Sequence, residues 1–159
     1  MDATEQKTDE PVKEHSLELL SFVVGSHEYS VDIMAVREIR GWTETTSLPH
    51  SPSYVRGVIN LRGTVLPVID LAVRLGLEAG EVSERNVIIV VDIDNAPVGM
   101  RVDAVSDILT VKKSDLIPPP EFTEDISGTF LSAVTLLNEK MIRVLDLSST
   151  MPRKSEVAA

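Results

Sequence analysis

From Leu17 to Leu147 the apolar positions come in short runs that end at turn residues. Tyr29, Val31 and Ile33 alternate with Glu28, Ser30 and Asp32, and this period of two predicts a half-buried strand. The apolar stretch Leu17 to Val24 precedes it, and Gly25-Ser26 between them suits a two-residue hairpin turn. A second hairpin is predicted from Val58–Leu61, the turn Arg62-Gly63 and Thr64–Ile69, with Gly63 supplying a position tolerant of positive φ. Pro67 lacks an N–H, which predicts an edge or a bulge there. Asp70 is placed to N-cap a short helix through Arg74, with Gly76 as its stop. The same grammar continues with Asn86–Ile93, the turn Asp94-Asn95 and Pro97–Val102, then Val105–Val111. Pro118, Pro119 and Pro120 mark a rigid extended loop, and Phe130–Leu137, Asn138-Glu139 and Lys140–Leu145 form a last hairpin.

Two matches recur in the same order. Ala35-Val36-Arg37-Glu38-Ile39 resembles Ala104-Val105-Ser106-Asp107-Ile108, and Leu66-Pro67-Val68-Ile69-Asp70-Leu71 resembles Ile142-Arg143-Val144-Leu145-Asp146-Leu147. Two related β-lobes of about five short strands each follow, and short, evenly spaced strands favour small barrels over an open sheet. The expected division is a polar, acidic tail at 1–15, an ordered domain at 16–147 whose lobes part at the polar linker near 78–86, and a polar tail at 148–159. The segment 1–15 carries almost no apolar residue, so it is expected to be disordered.

The 159 residues suit one compact unit. With 15 Lys and Arg against 25 Asp and Glu, the net charge is -10, and the basic residues form no stripe. Nucleic acid and anionic membrane surfaces are therefore not expected partners. There is no cysteine, which removes disulfides, thiolate metal sites and cysteine nucleophiles and fits a reducing compartment. The run Val87 to Val91 is too short to span a bilayer, and the polar start has no signal-peptide pattern. The expected location is the cytoplasm, without membrane insertion.

Catalysis needs a nucleophile with its base, a metal cluster or a phosphate cradle. His15, His27 and His50 have no ligand spacing and read as surface histidines, and no glycine-rich nucleotide loop occurs. The acidic group Glu121, Glu124 and Asp125 reads as a solvated loop. No enzymatic activity, cofactor or metal is expected. What stands out is the hairpin Gly57 to Leu71, where Arg62 at the turn tip faces solvent or a partner and Glu38 offers a complementary charge. Such a pair is either a surface ion pair adding little to stability or, flanked by Val36, Ile39 and Val58, part of a mixed polar and apolar patch suited to a protein partner.

Gly57 to Leu71 resembles the signature Gly-x-x-Asn-Leu-Arg-Gly-x-x-x-Pro-x-x-Asp-Leu of the CheW family of chemotaxis coupling proteins. Tyr29–Ile33, Val36–Gly41, Gly99 and Val102–Ile108 are similar to that family as well, so the resemblance covers roughly Leu17 to Leu147. It implies an all-β fold of two intertwined five-stranded SH3-like barrels with short helices. It also implies a non-enzymatic scaffold joining the cytoplasmic tips of chemoreceptors to the regulatory domain of the chemotaxis histidine kinase, within receptor arrays. On this resemblance, Glu38 and Arg62 are expected in receptor binding, with Val36, Gly57, Gly63 and Ile108 as neighbours in coupling, and Ile39 and Val58 join the expected face as the apolar flank of the charge pair. Ala133 stands where the family usually has Gly, which predicts an altered turn in the second lobe. The segment after Leu147 is short and polar where relatives continue a helix. The alternative from another class is a β-barrel sensor binding a small ligand or peptide directly, which an enclosed dry cavity would favour.

Overall fold

A computed structural model describes residues 15–78, 83–119 and 130–151. Ten strands are present: β1 (Ser16–Val24), β2 (His27–Asp32), β3 (Val36–Gly41), β4 (Val55–Leu61), β5 (Thr64–Asp70), β6 (Val87–Ile93), β7 (Ala96–Val102), β8 (Ala104–Lys112), β9 (Leu131–Leu137) and β10 (Lys140–Leu145). Two one-turn helices follow β5 and β10: α1 (Leu71–Arg74) and α2 (Leu147–Thr150). The predicted hairpins all form. Three of their two-residue turns hold positive φ at both positions, Arg62 and Gly63, Asp94 and Asn95, and Asn138 and Glu139, as type I′ turns require.

The strands make two sheets of five, ordered β8-β1-β2-β10-β9 and β3-β6-β7-β5-β4. These orders superimpose under the repeat seen in the sequence, β8 on β3, β1 on β6, β2 on β7, β10 on β5 and β9 on β4. Each barrel is thus assembled from strands of both halves of the chain. The connectors explain the exchange. β2 reaches β3 through the three-residue turn Ile33–Ala35, and only Asp103 separates β7 from β8. To join the sheet of β1 and β2 beside β1, β3 would have to run parallel to β2. A three-residue connector reaches roughly 10 Å, whereas returning along a six-residue strand needs about 20 Å. The chain must therefore run on into the other sheet.

Both sheets close. The segment leaving β3 pairs with β4 at Thr46↔Val58, and the segment leaving β8 pairs with β9 at Ile117↔Val134. In each case the chain leaving one edge strand crosses to the opposite edge, which covers edges that would otherwise be open. The interiors are filled by side chains. Ile59, Leu61, Leu66, Val68, Ile88 and Val90 pack inside one barrel with Trp42 against them, and Leu19, Val111, Ala133 and Val144 pack inside the other. A larger shared core, including Phe22, Tyr29, Val31, Ile69, Leu71 and Met100, joins the two.

Several expectations need correction. The stretch 78–86 does not part the lobes, because β5 and β6 on either side of it belong to one sheet. Pro67 is on an interior strand, not an edge, and of the two expected outcomes it is the bulge that lies nearby, between Val55 and Gly57 on the paired β4. Pro67 faces Val58, whose own N–H and C=O turn away to bond Thr46, and the parallel ladder to β7 starts only at Val68↔Gly99. No rung therefore misses the proline's N–H. The polar tail does not begin at 148. Residues 147–150 form α2, Thr150 is buried, and Met151 packs in the shared core. The His15 carbonyl accepts a hydrogen bond from the Lys113 N–H at 2.7 Å, so residue 15, expected in the tail, is tied to the end of β8. The expectations for residues 1–14, for Gly80, for Pro120, Glu121, Glu124 and Asp125, and for 152–159 lie outside the described residues. Ala133 leaves its hairpin unaltered, since β9–β10 keeps the register and bulge of β4–β5.

The helix ends follow the sequence closely. Asp70 accepts from the Ala72 N–H and Asp146 from the Ser148 N–H, each as an N-cap. Gly76, at φ +80, closes α1 with Leu77 N–H to Ala72 C=O at 2.8 Å and Gly76 N–H to Val73 C=O at 3.0 Å, the paired bonds of a Schellman motif.

Candidate functional site

The geometry of the Glu38 region begins with a bulge. β3 pairs with β6 through Val36↔Val91 and Glu38↔Val90, so Arg37 is the extra residue and the Glu38 side chain is re-aimed. On the opposite edge of the sheet, the Arg62-Gly63 turn is fixed by Asn60, whose Oδ1 accepts from the Gly63 N–H at 2.9 Å. Curling of the sheet brings these edges together, and Arg62 Nη2 donates to Glu38 Oε1. Arg40 stands on the other side of the carboxylate, its Nη1 at 3.6 Å from Glu38 Oε2. The Arg62 side chain is 70% exposed, whereas that of Glu38 is only 23% exposed. The hydrogen bond from Arg62 holds the Glu38 carboxyl below its ordinary range; partial burial opposes this, and the charges of Arg62 and Arg40 reinforce it.

The other expected residues fall around this cluster in different ways. Val36 is half-buried at the start of β3, and Ile39 is exposed. Val58 is half-buried on β4 beside Gly57. Gly57 has φ +144, and a Cβ there would lie 2.2 Å from the Thr46 carbonyl oxygen. Only glycine lets the segment after β3 lie against β4 at this point, so its role is to close the barrel. A Cβ at Gly63 would meet nothing within 4 Å, and the φ of +85 alone calls for glycine there. Ile108 is exposed, but on β8 of the other sheet, where the repeat makes it the counterpart of Ile39.

Sequence reasoning missed a buried polar network at the other end of the same barrel. Asp70 and Arg101 are 2% and 1% exposed. Arg101 Nη1 donates to both Asp70 carboxylate oxygens at 3.2 Å, and Arg101 Nε donates to Asn86 Oδ1 at 3.1 Å. Arg56 adds bonds to Asp70 Oδ2 from Nε at 3.0 Å and Nη2 at 2.8 Å, and its guanidinium lies 5.9 Å from the Trp42 ring. The available signal was one Arg inside the otherwise apolar strand Val98–Val102, which needs a buried partner. Between the barrels, Arg74 lies over Tyr54 at 4.2 Å and Phe130 at 4.7 Å, and donates to the Thr150 and Ser149 carbonyls at 2.8 and 3.2 Å. It joins the end of α1 to the end of α2.

Among the described residues no cluster of His, Asp and Glu is arranged to hold a metal ion, and no helix is long and apolar enough to cross a membrane. An open cleft of about 480 Å³ is lined by Ser21, Glu28, Asp107, Leu109, Lys140 and Ile142. It is open to solvent, unlike an enclosed dry cavity, its lining is mixed polar and apolar, and its Leu109 packs against the interior of the second barrel.

Two filled, closed SH3-like barrels thus trade hairpins and present an ion-paired cluster at one rim. The family model described as CheW-like domain matches residues 18–154. A chemotaxis protein CheW of Rhizobium meliloti is 49% identical over 142 residues, covering 89% of this chain and 92% of the relative. One from Klebsiella aerogenes is 35% identical, covering 84% and 81%. The crystal structure of the scaffolding protein TtCheW from Thermoanaerobacter tengcongensis matches with a TM-score of 0.80 at 29% identity, covering 89% of this chain and 92% of that one. The chain belongs to the CheW-like domain family.

Proposed function

We propose that this protein is a non-enzymatic adaptor that couples chemoreceptor cytoplasmic tips to the regulatory domain of the chemotaxis histidine kinase. On this reading it works in the cytoplasm at receptor arrays. The observation that carries the receptor half is the Glu38–Arg62 pair, which stands on elements from opposite edges of one sheet and leaves the Arg62 guanidinium largely exposed. Ile39 and Val65 are exposed on the same sheet, 46% and 63%. An amphipathic helix presenting apolar side chains at i, i+3 and i+4, with an acidic group in reach of Arg62, is the complementary partner. Val36, Gly57, Val58 and Gly63 shape this face, and Ile108 contributes from the other barrel. The filled barrel interiors support surface recognition over enclosure of a ligand.

Titration calorimetry against a receptor cytoplasmic fragment, and separately against the kinase regulatory domain, tests the assignment. Both are expected to bind, and Arg62→Ala is expected to weaken the receptor step alone, by about tenfold. Loss of kinase binding with receptor binding intact would contradict the placement of the receptor face.

A further inference from the structure

Glu38 has two cations and Arg62 has an exposed guanidinium, which raises the question of what Arg40 is for. Arg40 Nη1 stands 3.6 Å from Glu38 Oε2, close enough for attraction but long for a hydrogen bond. Its Nε is buried and has no hydrogen-bond partner. A buried donor left unmade is costly, and such a group calls for an explanation. The cluster carries two positive charges and one negative, in a chain of net charge -10.

We propose that Arg40 is a positioning residue that takes over Glu38 when Arg62 turns to a carboxylate of the partner. In the free protein Glu38 is held by Arg62 and flanked by Arg40. When an acidic side chain of the docking partner engages the Arg62 guanidinium, the Glu38 carboxylate closes onto Arg40 and accepts from its Nε and a terminal nitrogen. A half-buried carboxylate stripped of its only cation would resist that exchange. With Arg40 beside it, Arg62 is released without stranding Glu38, and the idle Nε–H gains its acceptor. The net positive charge of the cluster is what selects an acidic partner group over a basic one. This deepens the adaptor reading and rests on it for the identity of the partner.

Two measurements separate the proposal from that reading. The first needs no partner. In nuclear magnetic resonance spectra of the full chain, Arg62→Ala is expected to shift the Arg40 Nε–H signal downfield and slow its exchange with water, as Glu38 moves onto it. An unchanged Arg40 signal in folded Arg62→Ala protein would overturn the proposal. The second is a binding cycle with the receptor fragment. Arg40→Met is expected to weaken binding about fivefold when Glu38 is present and not at all in a Glu38→Gln background, with Arg40→Lys restoring part of the loss. Equal losses in both backgrounds would mean that Arg40 touches the partner itself, and no loss in either would mean that it plays no part in binding; both overturn the proposal. If the unmodified protein fails to bind the fragment, the adaptor reading falls, and the exchange within the cluster stands or falls on the first measurement.

Discussion

At the scale of single residues, the chemistry of this protein is concentrated in a few charged side chains held at unequal exposure. Glu38 illustrates the consequence. Its carboxyl is held below the ordinary range chiefly by the hydrogen bond from Arg62, so the pair contributes stability above the ordinary carboxylate pKa and loses it as pH falls through the lowered value. A carbon-detected titration of the Glu38 carboxyl should therefore show a midpoint below that of exposed glutamates, and removing both cations, Arg62→Ala together with Arg40→Met, should raise it. A midpoint indifferent to that double substitution would mean that the two cations do not hold Glu38 in solution. Arg62 is legible in the sequence as a cation at a hairpin tip and Glu38 as a complementary charge, but their contact is not. They are 24 positions apart and meet only because a closed sheet brings its two edges together. Arg40 escapes notice for another reason. In sequence it is one more charge two residues after Glu38, and only the buried, unmatched Nε distinguishes it.

At the scale of elements, the internal repeat offers controlled comparisons. Asp70 and Asp146 are equivalent positions that cap α1 and α2 by the same bond, yet Asp70 is buried and also holds Arg101 and Arg56. Removing a cap alone costs about 1 kcal/mol, whereas stranding a buried charge costs about 3–5 kcal/mol. Urea denaturation of Asp70→Ala and Asp146→Ala should show this difference, and equal losses would contradict the energetic reading of the buried network. The cap is legible from sequence because it is a local signal. The network is not, because β5 and β7 become neighbours only through a parallel seam across the chain, Asp70↔Arg101. Hairpins are legible for the same reason as the caps, since their turns and alternation are local. Pro67 defeats the sequence rule because the rule against interior proline assumes that every N–H has a rung to make.

At the scale of the whole molecule, the exchange of hairpins makes the two barrels one cooperative unit. Among the described residues β1 and β2 pair only with each other, β8 and β10, and the shared core draws side chains from both sheets. A fragment ending at residue 78 should therefore lack dispersed amide resonances, and a well-folded fragment would refute the interdependence. The sequence repeat is visible as two ordered matches, but it cannot show that the repeating units and the barrels are cut differently. That follows from connectors of three residues and one, too short to turn a strand back. The interlocked frame holds the Glu38, Arg40 and Arg62 cluster on one barrel. The most direct test is the autophosphorylation rate of the chemotaxis kinase, measured with receptors in membranes and with or without this protein. The rate should rise and respond to attractant only when the protein is present, and Arg62→Ala should abolish that response while kinase binding persists. Receptor control of the kinase in the absence of the protein, or unchanged control with Arg62→Ala, would contradict the account.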